Sequence, residues 1–188
     1  MQTRQETRVN GVPTDRLVET MNAIRGKPEV AKFVFRSTNR WIDGGHNRAR
    51  IKGFFGACAE DLSRVDPFVV NMDEPPVLLG TDKAANPVEL LLAALSGCLT
   101  TSLVYHAAAR GIELSEVESR YEGDLDLRGF LGMDDTVRNG TERIRVTFKV
   151  KGDASEAELD DLVRIAQERS PVFDIVTNRV PVTVERAR

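Results

Sequence analysis

The stretch NPVELLLAALSGCLTTSLVYHAAARG, residues 86–111, decides the fold of this chain. Asn86, followed three residues later by Glu89, is the arrangement that satisfies the free N–H groups at the start of a helix. Arg110 and Gly111 suit the opposite end, because a cation favours the last turn and glycine accepts the left-handed conformation that terminates a helix. The sequence therefore predicts one long helix between these residues.

Between Leu90 and Ala109 no side chain carries a formal charge at neutral pH. A helix that is apolar on every side has no face for water, so it is expected to be buried. Its length of about 20 residues would also span a membrane. Serine, threonine and histidine dilute the stretch, however, and its flanks are typical of a soluble domain. We therefore expect a central helix covered by sheet or by a partner helix.

The composition indicates a soluble globular protein of 188 residues, 41% hydrophobic and 29% charged. A net charge of −3 without a basic run gives no reason to expect nucleic acid. The start MQTRQETRVNG lacks the apolar core of a signal peptide, and two cysteines make no disulfide framework, so a cytoplasmic location is expected. The scattered cysteines and histidines show no metal-ligand spacing, and we expect neither a metal nor a cofactor.

Residues 1–29 are predicted to be an N-terminal extension, and residues 30–188 the main domain. Within the extension, the polar residues 1–12 are expected to fray. Thr14 is predicted to cap a short helix that reaches Arg25. This helix is interpreted as an appendage packed on the domain, with a partner-binding helix as the alternative.

The main domain contains six stretches with strand patterns, several bounded by turn residues. The predicted strands cover residues 31–42, 48–60, 67–72, 116–128, 143–151 and 180–184. A capping box of Ser155 and Glu158 opens a second helix, which Pro171 stops. Runs of strands separated by so few helices indicate an antiparallel α+β fold. The uncovered side of the central helix then favours a homodimer in which two sheets enclose two long helices.

Cys98, in the middle of the central helix, is the sharpest candidate for chemistry. A thiol is a nucleophile only as thiolate, which needs nearby positive charge or hydrogen-bond donors. The helix dipole fades within the first turn, and Cys98 lies about three turns in. An arginine from the first predicted hairpin would have to activate the thiol. The alternative is a structural role, since free cysteine is also a common small core residue.

The run DEPPVLLGTDKAANPVELLLAALSGCLTTSL, residues 73–103, resembles the signature of the OsmC/Ohr family of thiol-dependent hydroperoxide reductases. The Ser-Pro-Val sequence at residues 170–172 adds to the resemblance, which covers the chain from Val30 onward. The resemblance implies an intertwined α+β homodimer with Cys98 as the active-site cysteine. In the family, this thiolate attacks the O–O bond of an organic hydroperoxide, and a second cysteine resolves the sulfenic acid as a disulfide.

Two positions depart from the family pattern. The second cysteine is replaced by Ser170, which places the chain in a subgroup without that thiol. The glutamate that follows Asn-Pro in the well-characterised peroxidases, where it holds the catalytic arginine, is replaced by Val88. Glu89 is one step further round the helix and is interpreted as a capping residue.

The resemblance also implies an arginine in or beside the first hairpin turn. We select Arg48 as the partner of Cys98, and three other arginines of this region remain alternatives: Arg36, Arg40 and Arg50.

Other side chains are assigned structural roles in preference to chemical ones. Cys58 is expected to be a buried strand residue, with a resolving thiol as the alternative. His106 is interpreted as a core or interface histidine in preference to a base. The aromatic residues are assigned to the core, although some would suit an apolar pocket: Trp41, Phe54, Phe55, Phe68 and Phe173.

Two functions follow from these observations. The first is a one-cysteine thiol peroxidase that reduces a small-molecule hydroperoxide and is regenerated by an external thiol. The second is a non-peroxidatic homodimer of the same fold that binds a small apolar or thiol-bearing ligand between its subunits. The changes at Val88 and Ser170 favour the second, and the overall resemblance favours the first.

Overall fold

The structure of the protein is a computed structural model that describes residues 6–187. These residues form two compact units. Residues 6–7 and Pro13–Leu91 belong to the first, and Arg8–Val12 with residues 92–187 to the second. The chain has a mixed α+β fold with antiparallel sheets and one long helix, α2 (Pro87–Ala109), as the sequence predicted.

The first unit begins with helix α1 (Thr14–Gly26), which buries none of its side chains. The prediction that Thr14 caps this helix is wrong. Pro13 occupies the cap position without a side-chain hydrogen bond, and the Thr14 hydroxyl donates to the carbonyl of Thr7 (3.2 Å).

Six short strands follow α1 in the first unit. They are β3 (Val34–Phe35), β4 (Thr38–Asp43), β5 (His46–Ile51), β6 (Phe54–Gly56), β7 (Ala59–Asp61) and β8 (Phe68–Met72). They form two antiparallel three-stranded sheets, in the orders β3-β6-β7 and β4-β5-β8. Each strand predicted over residues 31–60 is therefore divided between two sheets.

The strand predicted over residues 48–60 is interrupted by a hairpin turn, and close packing explains its position. Ala57 and Cys58 form a two-residue turn between β6 and β7, with φ of 50° and 64°. A turn with both φ angles positive matches the twist of a hairpin. A Cβ on Gly56 would lie 2.2 Å from the Phe33 ring, so only glycine permits this approach.

The second unit contains the paired strands β9 (Leu114–Asp124) and β10 (Arg143–Gly152). Three helices accompany them and the C-terminal part of α2: α3 (Leu127–Phe130), α4 (Glu156–Arg169) and α5 (Pro171–Thr177). The capping box of α4 is confirmed, since Ser155 N donates to Glu158 Oε2 (2.9 Å) and Glu158 N donates to Ser155 Oγ (3.4 Å).

The core of the second unit lies between α2, α4 and the inner face of the β9–β10 sheet. Its buried side chains come from the two helices: Leu103, Ala107, Leu159, Leu162 and Ala166. Half-buried residues of the sheet pack against them, among them Val117, Phe148 and Val150. The alternation of apolar and polar residues in the sequence therefore predicted correctly which side chains of this sheet face the core.

Two terminal predictions are wrong. Residues 8–13 are ordered rather than frayed, because β1 (Arg8–Val9) and β2 (Val12–Pro13) pair around a turn at Asn10. The Asn10 side chain donates to Ile112 O (2.9 Å) and accepts from Leu114 N (2.8 Å). The rest of the fraying prediction, for residues 1–5, lies outside the described residues.

At the other end, the valines of residues 180–184 form no strand, because no other segment among the described residues pairs with them. Without a neighbour, a strand leaves its backbone groups without hydrogen-bond partners.

Within this single chain, helix α2 is covered on one side, and the cover predicted from a partner helix stays a prediction. One side carries the buried residues Leu95, Leu99, Leu103 and Ala107, and Ala108 is buried near the C-terminal end of the helix. The other side, which we call the open face of α2, is exposed and consists of Leu91, Ala94, Gly97, Thr101 and Tyr105. By length and composition α2 is also the one described helix that could cross a membrane, with 17% of that stretch buried.

Candidate active site

The N-terminus of α2 is fixed by its own capping box. Asn86 Oδ1 accepts hydrogen bonds from Val88 N (2.8 Å) and Glu89 N (3.0 Å), and Glu89 Oε2 accepts one from Asn86 N (2.8 Å). Glu89 is therefore a capping residue, as predicted. The Asn86 amide nitrogen donates to Glu74 Oε2 (2.9 Å), which ties the start of the helix to the preceding loop.

The loop before α2 is built around a buried carboxylate, Asp73, which is 1% exposed. Its Oδ1 accepts from Glu74 N (2.9 Å). Its Oδ2 accepts from the Thr81 hydroxyl (2.6 Å), Thr81 N (3.2 Å) and Lys83 N (3.1 Å). The Thr81 hydroxyl first, and then the backbone N–H groups, hold the pKa of Asp73 far below its usual range. Asp73 is therefore ionised, and it holds Glu74 at the start of the loop and Thr81 and Lys83 near its end.

Two glycines allow this loop to close. A Cβ on Gly80 would lie 1.8 Å from the Glu74 carbonyl oxygen, so no other residue fits there without moving the backbone. A Cβ on Gly45, in the turn between β4 and β5, would lie 3.1 Å from Glu74 Cγ. The hairpin turn and the loop are thus in close contact within the first unit. Reasoning from the sequence assigned Asp73 and Glu74 no role, although two acidic residues directly after a strand and before Pro-Pro were a visible signal.

Cys98 is a free, half-buried thiol of α2, about three turns after the helix begins. It belongs to the second unit. Its neighbour Gly97 lies on the open face of α2, and a Cβ there would meet no atom of residues 6–187 within 4 Å. The thiol therefore stands beside an uncovered part of the helix surface.

The four candidate arginines lie in the first unit, and they differ in their hydrogen-bond partners. Arg36 is engaged, because both of its terminal nitrogens donate to the Glu60 carboxylate (2.8 and 2.9 Å). Arg48 lies directly opposite Arg40 across β4 and β5, and its Nε donates to Asn71 Oδ1 (2.8 Å). The pairing of Arg48 with Cys98 stays a prediction.

The structure also describes the two positions that bear on a second thiol, Cys58 and Ser170. Cys58 is an exposed turn residue, so its interpretation as a buried strand cysteine is wrong. Ser170 is 2% exposed, and its hydroxyl accepts a hydrogen bond from Phe173 N (3.2 Å) at the start of α5. At the position of the family's second cysteine, this chain has a helix cap.

His106 is half-buried in the last part of α2. Burial, and then the charges of Arg110 and Arg169, lower its pKa, so the imidazole is neutral at pH 7. The assignment of the aromatic residues to the core is wrong for Trp41 and Phe68, which are 70% and 63% exposed. The sheet faces that carry them have no cover from the described part of the chain. Among residues 6–187, no group of cysteine, histidine, aspartate or glutamate side chains is arranged to hold a metal ion.

Comparisons with known proteins agree with this architecture. A family model described as OsmC-like protein matches residues 80–185, which include Cys98. No curated protein matches the chain. Several solved structures share the fold at low sequence identity. An OsmC-like protein from Mycoplasma pneumoniae is 17% identical, with a TM-score of 0.59 over 78% of this chain and 89% of that one.

Two further structures are similarly distant. An OsmC-like protein of unknown function from Vibrio cholerae is 13% identical, with a TM-score of 0.52 over 75% of this chain and 92% of that one. An organic hydroperoxide resistance protein OsmC from Legionella pneumophila is 18% identical, with a TM-score of 0.51 over 76% and 88%.

Proposed function

This chain belongs to the family of OsmC-like proteins, and we propose that it reduces organic hydroperoxides with a single cysteine, Cys98. The observation that carries the proposal is the position of Cys98. It is a half-exposed thiol inside the matched segment, on a largely apolar helix, beside a surface that residues 6–187 leave uncovered. The organic hydroperoxide resistance protein from Legionella pneumophila, which shares the fold, supports a peroxide as substrate.

The proposed reaction has two stages. The Cys98 thiolate attacks the outer oxygen of the hydroperoxide, the O–O bond breaks, and the leaving alkoxide takes a proton to become an alcohol. Cys98 is oxidised to the sulfenic acid. One external thiol then forms a mixed disulfide with Cys98 and releases water, and a second thiol restores the Cys98 thiolate and leaves as a disulfide.

We propose Arg48, the arginine selected from the family resemblance, as the group that stabilises the thiolate and orients the peroxide. A guanidinium lowers the pKa of a neighbouring thiol and offers two donors to the peroxide oxygens. Arg48 has only one hydrogen bond to a described residue, the amide oxygen of Asn71, so most of its donors remain free.

An external reductant is required because the chain offers no suitable resolving thiol. Ser170 cannot form a disulfide and is occupied as a helix cap. Cys58 lies in an exposed turn of the first unit. The cytoplasm, where small thiols are abundant, is the proposed compartment.

We further propose that the protein is a homodimer. The open face of α2 carries no charged residue and exposes Leu91 (38%) and Tyr105 (51%), and the small residues between them permit close approach of another helix. Exposure of this apolar surface to water is unfavourable, and association of two copies would bury it.

The test is mass spectrometry after treatment with less than one equivalent of cumene hydroperoxide in the presence of a sulfenic-acid trap. We expect rapid trapping at Cys98, none at Cys58, and consumption of the peroxide by the Cys58→Ser variant with dithiothreitol as reductant. The Cys98→Ser variant should be inactive. A Cys98→Ser variant with full activity would overturn the proposal.

A second function is favoured by the changes at Val88 and Ser170, namely a non-peroxidatic homodimer that binds a small apolar ligand. In that case Cys98 would stay unmodified by the peroxide in the same experiment. The Arg48→Ala variant distinguishes the two functions further. In a peroxidase, this change should slow sulfenic acid formation at Cys98 at least tenfold. The control variant Arg120→Ala, on the β9–β10 sheet, should leave the rate unchanged.

A further inference from the structure

One face of the β4-β5-β8 sheet carries an unusual set of cations. Arg48 and Arg50 are two residues apart on β5 and so point to the same side. Arg40 on β4 lies directly opposite Arg48 and points the same way. Like charges in direct cross-strand register destabilise a sheet. An anion bound on this face would relieve that repulsion.

No carboxylate among the described residues neutralises this face. The side chains of Arg40, Arg50 and Lys52 make no hydrogen bond or ion pair within residues 6–187, and Arg48 donates only to the neutral amide of Asn71. The three strands contribute a single acidic residue, Asp43.

The other long sheet of the protein shows the opposite arrangement. On the outer face of β9 and β10, Arg145 is bonded to Asp124 (2.7 Å), and Lys149 and Lys151 both contact Glu116. Arg145, Lys149 and Lys151 of that sheet thus have acidic partners, whereas Arg40, Arg48 and Arg50 have none among the described residues.

A groove of about 410 Å³ opens at one end of the cationic face. Its lining residues all belong to the first unit: Arg36, Ser37, Thr38, Arg50, Lys52, Gly53 and Pro67. Glu60 already neutralises Arg36, so Arg50 and Lys52 supply the uncompensated charge. Thr38 adds a hydroxyl group, and so does Ser37, whose hydroxyl donates a long hydrogen bond to the Arg50 carbonyl (3.5 Å) and still has acceptor capacity. The volume falls within the range of small-molecule sites.

We propose that this groove binds the phosphate group of a small phosphorylated molecule. A guanidinium presents two parallel donors that match phosphate oxygens, an ammonium adds a point charge, and hydroxyl groups bond the remaining oxygens. Arg50, Lys52 and the two hydroxyl residues supply these three kinds of group within one groove. The lining of this groove includes neither Cys98 nor Arg48.

The test is isothermal titration calorimetry of the full chain with pyrophosphate at low ionic strength. We expect saturable binding that the Arg50→Ala/Lys52→Ala double variant weakens at least tenfold. The control is Arg120→Ala/Lys151→Ala, which removes the same charge from the β9–β10 sheet and should bind as the unmodified protein does. Equal losses in both variants would show a general charge effect and overturn the proposal.

Further measurements use the unmodified protein and the Cys98→Ser variant. On addition of pyrophosphate, the backbone amide signals of Ser37, Thr38 and Gly53 should shift in NMR spectra. Cys98→Ser should bind pyrophosphate normally, so that failure of the peroxidase proposal and failure of this one remain distinguishable. Equal affinity for malonate, or binding to phosphatidic acid vesicles without binding to pyrophosphate, would overturn the assignment to a small phosphorylated ligand.

Discussion

Ser170 shows how one residue changes the chemistry open to a fold. A cysteine at this position would offer a second thiol, whereas the serine hydroxyl accepts a hydrogen bond from Phe173 N and caps α5. The side chain is almost fully buried, so no water replaces that bond if the hydroxyl is removed. The serine is therefore a structural residue.

We predict that Ser170→Ala lowers the free energy of unfolding by about 1 kcal/mol, the usual cost of losing an N-cap. Urea denaturation followed by circular dichroism measures the change. Ser115→Ala is the control, because Ser115 is an exposed strand residue without a side-chain hydrogen bond to the described residues. The rate at which peroxide oxidises Cys98 should stay unchanged in Ser170→Ala, and a slower rate would assign Ser170 a part in the chemistry.

At the scale of elements, the start of α2 depends on the loop that precedes it. The helix cap Asn86 is bonded to Glu74, and Glu74 follows Asp73, whose carboxylate collects four hydrogen bonds from the loop. The position of the helix N-terminus thus depends on one ionised side chain.

This loop should make stability sensitive to acid. Because the pKa of Asp73 is lowered in the folded state, its stabilising contribution is complete above the ordinary aspartate pKa of about 3.9 and is lost as the pH falls below that value. We predict that Asp73→Asn lowers the thermal midpoint by several degrees at pH 7, since its amide NH₂ meets a backbone donor. Between pH 7 and pH 3, the thermal midpoint of the Asp73→Asn variant should fall less than that of the unmodified protein.

Thermal unfolding at both pH values measures these differences. Asp66→Asn serves as the matched control, because Asp66 is exposed and its side chain has no hydrogen bond to the described residues. Parallel acid sensitivity of the unmodified protein and of Asp73→Asn would contradict the assignment to Asp73.

At the scale of the whole molecule, several apolar surfaces have no cover from the described part of the chain. They comprise the open face of α2, the exposed aromatic residues of the first unit and the valines of residues 180–184. Together they favour the proposed association of two copies, because a monomer would hold all of them in water.

Gly97→Ala tests this association. A Cβ at Gly97 meets no other described residue within 4 Å, so in a monomer alanine should stabilise α2 by about 1 kcal/mol. In a dimer joined through the open face of α2, the added methyl group should weaken association at least tenfold. Sedimentation equilibrium over a dilution series measures it, with Gly26→Ala, also free of neighbours, as control. Unchanged association would place the interface elsewhere.

The sequence by itself determined the elements whose signals are local. The capping boxes at Asn86 and Ser155 fixed where α2 and α4 begin, and the alternation of β9 and β10 fixed which side chains face the core. These signals lie within a few residues and depend on the geometry of a helix turn or a strand, so distant parts of the chain do not alter them. The resemblance that pointed to Cys98 was equally local.

Only the tertiary structure decided the features that join distant segments. The burial of Asp73 among four donors, the division of residues 31–60 between two sheets and the exposure of Cys58 in a turn all depend on close packing. The same holds for the valines of residues 180–184, which have strand-forming side chains but no neighbouring strand in the described chain. A strand or a buried charge is stable only when its partners are present, and the partners come from the fold.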